Sequence, residues 1–210
     1  MSDTLDKRLD QILPTITSDA FLKATGLGNE IAFHIFDYPP EEEIRVRKHV
    51  QWLMEQIPKR KPGIRVVHVN LFDFVIGHLR QRGLLDGAFQ IQREKGDEVL
   101  RKDLRAPLHE EKLAKEFVKV AKPEENDLVL VSGVGSVYPL LRSHTLLNNL
   151  QPIMGQTPLV MFYPGRYDGV SLRLFGKTTL SVGSNSAGGR RQDPYYRAFR
   201  LIPEEPKYAH

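Results

Sequence analysis

Residues 127–151 read DLVLVSGVGSVYPLLRSHTLLNNLQ, and this stretch decides the fold. Asp127 to Val131 form a short apolar run without the polar alternation of a strand that faces water, as a strand buried on both faces of a parallel sheet requires. A glycine loop, Ser132-Gly133-Val134-Gly135-Ser136, follows. The spacing then predicts a helix from Tyr138 to about Gln151, with Ser136 as its cap and Pro139 in its first turn. Strand, tight turn and helix make the repeating unit of an α/β fold. On that helix Leu140, Leu146, Leu147 and Leu150 share one face, and Arg142, Thr145 and Asn149 lie opposite. His144 and Asn148 are four apart, on a flank near Leu141. A purely solvated face would hold more Lys and Glu. Arg142, His144, Asn148 and Asn149 have side chains that make directed hydrogen bonds, which suits a partner surface or an internal polar network; capping and helix-to-loop bonding is the structural alternative.

Upstream, the same alternation repeats. Leu5, Leu9 and Ile12 recur at helical spacing, predicting a helix over 3–13 stopped by Pro14, with a short second helix near Asp19 to Lys23. Together they make an N-terminal helical segment over 1–25. Glu30 to Phe36 (EIAFHIF) reads as a first strand, closed by Asp37 and Pro39-Pro40. A helix follows, with Pro40 and Glu41 to Glu43 suited to its positive end, and Val46, Val50, Leu53 and Ile57 on one face. It closes on Lys59, Arg60, Lys61 and Pro62-Gly63. Ile64 to Val69 is a second strand; Asn70 caps the helix after it, which carries Leu71, Val75 and Leu79, with Asp73 near its start. Residues 84–122 are charge-rich and helical in pattern, with Leu113, Phe117 and Val120 expected inward.

Downstream, Pro158 to Tyr163 reads as a fourth strand ended by Pro164-Gly165, Ser171 to Phe175 as a fifth, and Tyr195 to Leu201 as a sixth. Residues 183–193 are small and polar and read as a flexible loop, expected to be dispensable for folding. The expected fold is a single α/β domain over 1–210. Its mainly parallel open sheet has helices on both faces, in a Rossmann-like or P-loop-like topology, and its last two strands pair as an antiparallel edge near the C-terminus.

Composition bounds what this fold does. The chain has 210 residues, 40% apolar and 27% charged, ordinary for a globular protein. It has no cysteine, so disulfides and thiolate metal sites are excluded. No run approaches the ~20 apolar residues that span a bilayer, and the N-terminus lacks a signal-peptide pattern. A cytoplasmic protein without membrane contact is expected. The net charge of +4, with small basic groups at 59–61 and at Arg190 and Arg191, is too mild to mark nucleic-acid binding by itself.

No catalytic motif is intact. Gly176-Lys177-Thr178 resembles the end of a phosphate-binding loop, but Ser171 stands where the pattern needs glycine, and no helix pattern follows. Gly133, Gly135 and Ser136 make a candidate anion nest, although Tyr138 replaces the glycine of a dinucleotide fingerprint. Asp37 and Asp73, with Arg166 and Asp168 after the fourth strand, all fall at the carboxyl ends of strands, where open parallel sheets hold ligands. Asp37 and Asp73 also suit turn and helix-start roles. His34 and His68 lie within strands and are expected on sheet faces. No metal-ligand spacing and no nucleophile elbow is present, and no cofactor is expected.

Several stretches resemble the BrxB family of bacteriophage-exclusion (BREX) defence systems. They are GLGNEIAFHIFDYPPEEE at 26–43, VNLFDFV at 69–75 and SGVGSVYPLLRSHTLLNNLQPIMGQTPLVMFYPGRYDG at 132–169, with SLRLFG at 171–176 and YYRAFRLIP at 195–203. The resemblance implies a small cytoplasmic accessory subunit, needed for phage exclusion and the accompanying methylation of host DNA. Its implied neighbours are an adenine methyltransferase, an alkaline-phosphatase-like protein and a large ATPase. It transfers no catalytic residue.

The leading expectation is a non-catalytic subunit that docks other BREX proteins, first the alkaline-phosphatase-like one, with a homodimer as a further arrangement and DNA reached indirectly. The surface candidates are Arg142, His144, Asn148, Asn149, Arg166 and Asp168. One alternative is a phosphoesterase or nucleotide-binding enzyme using the strand ends; another is a nucleic-acid-binding module. Convergent acids in a tight groove would favour the enzyme, one continuous basic face the nucleic acid, and an apolar patch rimmed by Arg and Tyr the docking subunit.

Overall fold

A computed structural model describes residues 2–23, 33–176 and 198–203. Its elements run α1 (Ser2–Ile16), α2 (Asp19–Leu22), β1 (Phe33–Tyr38), a 3-10 turn (Pro40–Glu42), α3 (Glu43–Arg60), β2 (Val66–Asn70), α4 (Leu71–Gln81), α5 (Leu85–Leu104, broken at Gly96), α6 (Glu110–Ala121) and β3 (Leu128–Ser132). They continue with α7 (Val134–Val137), α8 (Ser143–Leu150), β4 (Leu159–Tyr167), β5 (Leu172–Leu174) and β6 (Phe199–Arg200).

Among the described residues the strands form one sheet in the order β2-β3-β4-β1-β6, every neighbour parallel, with β5 antiparallel on the far end of β4. Successive side chains on a strand point to opposite faces, so a strand buried on both faces must be apolar throughout. β3 meets that condition. Val129 and Val131 join the cluster under α4, α6 and α8, while Leu128 and Leu130 join the cluster under α1 and α3. β4 divides likewise, with Leu159, Met161 and Tyr163 on one face and Val160 and Phe162 on the other. The result is a three-layer α/β architecture with two cores separated by one sheet. The expected seam of α3, Val46, Val50, Leu53 and Ile57, is buried.

Several expectations are corrected. The helix predicted from Tyr138 begins at Ser143. Residues 134–137 form their own short turn of helix, and Tyr138 is extended, as the residue before proline prefers; the Tyr138–Pro139 bond is cis. Ser136 therefore lies inside α7 rather than capping the longer helix, and Leu140 falls outside α8. The first helix runs through Pro14 to Ile16, because Leu13 and Ile16 are buried and that burial outweighs the lost bond of one terminal turn. Val120 is exposed: Ala121, four residues after Phe117, takes the inward position.

Pro164-Gly165 does not end β4. The strand continues to Tyr167, because Gly165 pairs with Leu174 and a Cβ there would lie 2.2 Å from the Arg173 carbonyl oxygen. β5 is antiparallel, as expected of a C-terminal strand, but its partner is β4, and β6 instead lies parallel to β1. The flexible loop expected at 183–193, Arg190 and Arg191, Lys177 and Thr178, and residues 30–32 of the expected first strand lie outside the described residues. Among the described residues no helix is long and apolar enough to cross a membrane.

Candidate functional site

The carboxyl edge of the parallel sheet is where side chains from α1, β1, β4 and β6 converge. Asp37, expected as a turn residue, lies inside β1 and is only 2% exposed. An isolated buried carboxylate is costly, so it must be paired. Arg8 on α1 donates to its Oδ1 at 2.8 Å, Arg200 on β6 lies 3.4 Å from its Oδ2, and the Tyr167 amide donates to Oδ2 at 3.0 Å. The Arg8 guanidinium also sits 4.8 Å over the Phe36 ring. Arg200 donates in turn to the Tyr167 carbonyl, and the Tyr167 hydroxyl donates to the Ala198 carbonyl at 2.6 Å. One acid thus fastens α1, β1, β4 and β6 together.

On the outer side of this tie lies a cavity of about 280 Å³ lined by Arg166, Tyr167, Asp168, Arg173 and Arg200. Arg166 and Arg173 are register partners across β4 and β5. Asp168 accepts from the amides of Val170 at 3.0 Å and Ser171 at 2.7 Å, from the Ser171 hydroxyl at 2.7 Å, and from Arg173 at 3.4 Å. Those bonds, the Ser171 amide first, hold its carboxyl down to about 2, so it is a fixed anion at any physiological pH. A larger cavity of about 630 Å³ opens at the opposite, amino edge, beside Lys61–Asp19 and Arg65–Asp127. Its three basic and three acidic lining residues balance, and the strand ends that gather ligands in open sheets point away from it.

The glycine turn has a packing explanation. Gly133 has φ 74°, and a Cβ there would fall 2.2 Å from Asn70 Oδ1, the oxygen that caps α4 by accepting from Phe72 and Asp73. A Cβ on Gly135 would meet Pro164 at 3.0 Å and Phe175 at 3.1 Å, while Ser136 is exposed. Nearby, His68 Nε2 lies 2.8 Å from the buried Ser132 hydroxyl; burial lowers the histidine's pKa, against a smaller opposite pull from Asp73. Neither cavity is lined by this pair. His34 packs between Phe21, at 4.5 Å, and Phe199, at 6.0 Å, and burial brings it down to about 4.

Of the candidates read from sequence, Arg166 and Asp168 meet in the small cavity; Arg142, His144, Asn148 and Asn149 do not line it. Arg142, at the N-cap of α8, and His144, within it, are exposed. Asn149 donates to the Thr145 carbonyl at 2.8 Å, a local helix bond, and Asn148 Oδ1 is buried with no hydrogen-bond partner among the described residues. Sequence reasoning missed Arg8, Arg173 and Arg200. Arg8 did leave a signal: it falls three residues after Leu5 and four before Ile12, a charge within an apolar stripe. Three exposed aromatics complete this edge. Tyr138 (45% exposed) and Phe175 (41%) meet edge to face with ring centroids 6.1 Å apart, and Phe72 is exposed at the start of α4.

Fold and site define a three-layer α/β protein whose sheet edge offers arginines and exposed aromatics around a braced acid. Comparison places it further: the family described as "BREX protein BrxB" matches residues 67–201, and the chain belongs to that family. A "BREX protein BrxB" of Escherichia coli O9:H4 (strain HS) is 40% identical over 200 residues, covering 95% of this chain and 92% of the relative. Another, of Bacillus cereus (strain H3081.97), is 38% identical over 202 residues, covering 94% and 97%. No solved structure matches.

Proposed function

We propose that the chain is a non-catalytic, cytoplasmic subunit that docks another protein of the BREX system, the alkaline-phosphatase-like component. Through that contact it supports phage exclusion and methylation of host DNA, reaching DNA only indirectly. The observation that carries this reading is the exposed Tyr138–Phe175 pair at the carboxyl edge, with Arg142 four residues beyond Tyr138 on the same surface segment. Aromatic and arginine side chains are what interface centres enrich, and burying one such ring against a partner yields ~1.5–3 kcal/mol.

The rivals find less support. A phosphoesterase needs strand-end acids that converge in a groove, but the Asp37 carboxylate is committed to two arginines and an amide, and Asp73, exposed in the first turn of α4, lines neither of the two cavities. A nucleic-acid module needs one continuous basic face, whereas Lys59 to Lys61 end α3 at the amino edge and Arg166 and Arg173 lie at the carboxyl edge. The test is affinity capture of the tagged chain from a host carrying the whole defence operon. Tyr138→Ala and Phe175→Ala proteins should lose the phosphatase-like protein while keeping their far-UV circular dichroism and melting temperature. Undiminished capture by both variants would refute docking at this edge. Wild-type self-association abolished by the same substitutions would make a second copy of the chain the occupant instead.

A further inference from the structure

We infer that the outer face of α3 is a docking surface for a second copy of the same chain, the two helices lying antiparallel across a two-fold axis. The inner seam of α3, Val46, Val50, Leu53 and Ile57, is buried against the sheet. Its outer face still carries large apolar side chains, with Ile44 69% exposed and Trp52 43% exposed. At 100° per residue Ile44, Lys48, Trp52, Glu55 and Lys59 fall on one side of the helix, and all five are exposed. The Trp52 indole is not a loose surface ring. It lies against the half-buried ring of His49, centroids 5.1 Å apart, and so stands already placed at the surface. A placed tryptophan is the side chain that most often anchors the centre of an interface.

The order of charges along this face selects a second copy rather than another partner. The middle of α3 falls between Gln51 and Trp52. Lys48 and Glu55 stand equally far from it on either side, and so do Ile44 and Lys59. A two-fold axis through that point sets Lys48 of each copy opposite Glu55 of the other, so one attraction is made twice. The two Trp52 rings meet near the axis, and each Ile44 lies against the aliphatic stem of a Lys59. The ends agree with the middle. Glu41 is exposed just before the helix, Lys59 and Arg60 close it, and an antiparallel partner sets each acidic start against a basic end. A parallel partner would set like charges together. The ion pairs of α3 among the described residues, Arg45 with Asp6 and Glu42 and Arg47 with Glu43, involve neither Lys48 nor Glu55. The inference goes beyond the docking reading, which turns on Tyr138 and Phe175. α3 covers the opposite face of the sheet from α4, α6 and α8, so the two surfaces are separate.

The experiment is sedimentation velocity of the purified full chain at concentrations from ~1 µM to ~1 mM, which bracket the affinities of small transient interfaces. The chain should pass from monomer to dimer across that range. Raising the salt concentration should loosen the dimer, because its ion pairs lie at the surface. Trp52→Ala should weaken it by about tenfold or more. Lys48→Glu turns both symmetric attractions into repulsions and should weaken it by a similar factor; adding Glu55→Lys to it restores both attractions and should restore the dimer. All three side chains are exposed, and far-UV circular dichroism checks that each variant is folded. A chain that stays monomeric throughout overturns the inference. So does a dimer unchanged by Trp52→Ala or by Lys48→Glu, and so does a charge reversal that Glu55→Lys fails to rescue. A dimer lost in Tyr138→Ala but kept in Trp52→Ala would place self-association at the carboxyl edge and overturns it as well. Capture of the phosphatase-like protein by Tyr138→Ala and sedimentation of Trp52→Ala are independent readouts, so this inference and the docking reading can fail separately.

Discussion

Replacing Asp37 with alanine tests whether one buried acid holds the two ends of the described chain together. The wild-type carboxylate is 2% exposed, and the side chains it neutralises, Arg8 and Arg200, are only 13% and 23% exposed. Its removal takes the carboxylate from two poorly hydrated guanidinium groups and the acceptor from the Tyr167 amide. Breaking a buried pair by deleting one partner costs ~3–5 kcal/mol, and an unsatisfied buried amide adds ~1–3 kcal/mol if no water reaches it. Because Arg8 and Arg200 can each turn partly toward solvent, the lower end applies, ~4 kcal/mol in all. At ~2–4 °C per kcal/mol for a domain of this size, the melting temperature should fall by roughly 8–16 °C. Asp37→Asn keeps an acceptor for Tyr167 but loses the charge, and should fall between wild type and alanine. Urea unfolding followed at 222 nm measures all three, and Arg8→Met combined with Asp37→Asn closes a double-mutant cycle in which the pair should couple by at least ~1 kcal/mol. An Asp37→Ala loss below ~1 kcal/mol, the range of ordinary surface changes, would refute the reasoning.

Three further outcomes follow from the packing. Gly165→Ala should cost ~1–3 kcal/mol, since its Cβ would press on the Arg173 carbonyl and part β5 from β4; denaturant titration reads the loss, and an unchanged midpoint would show that the strands yield freely. Leu147→Ala should cost ~2–5 kcal/mol through lost burial and a cavity, while Arg142→Ala, exposed on the same helix end, should stay within ~1 kcal/mol; thermal melts of both proteins check the contrast. His34 is held down to about 4 in the folded protein against 6.5 for the free side chain, so only the unfolded state takes up its proton between those values. Stability from this group is whole above pH 6.5 and drains away as pH falls toward 4, and His34→Phe should flatten that limb of the pH–stability curve.

The legible part of the fold was whatever one element declares by itself. β3 announces two-sided burial through five consecutive apolar or small residues, and α3 announces its buried seam through Val46, Val50, Leu53 and Ile57. Features decided by a distant neighbour were not legible. Pro164-Gly165 ends a strand in isolation, and continues one only because β5 arrives to pair with it. Val120 and Ala121 are equally eligible for the inner face of α6 until the adjoining side chains choose. The candidate site divides the same way. Arg166 and Asp168 are legible from a strand end, and both line the small cavity. Arg8, Arg173 and Arg200 join them from three other elements, and no local period connects residues 8, 37, 167 and 200. The glycine loop showed that glycine was needed, but not that Asn70 and Phe175 were what needed the room.

The position of β6 has a consequence for synthesis. β1 is among the earliest strands made, yet its outer edge is covered by residues 199 and 200, and its buried acid is neutralised from that same late strand. At ~5–20 residues per second the ribosome needs on the order of ten to thirty seconds between them. Throughout that interval a nascent chain carries an open strand edge, the kind of template on which polypeptides aggregate. The sheet therefore cannot close until residues 199 and 200 have left the ribosome. It closes afterwards, and a message truncated before codon 199 would yield a product marked for chaperones and proteases by its unfinished edge.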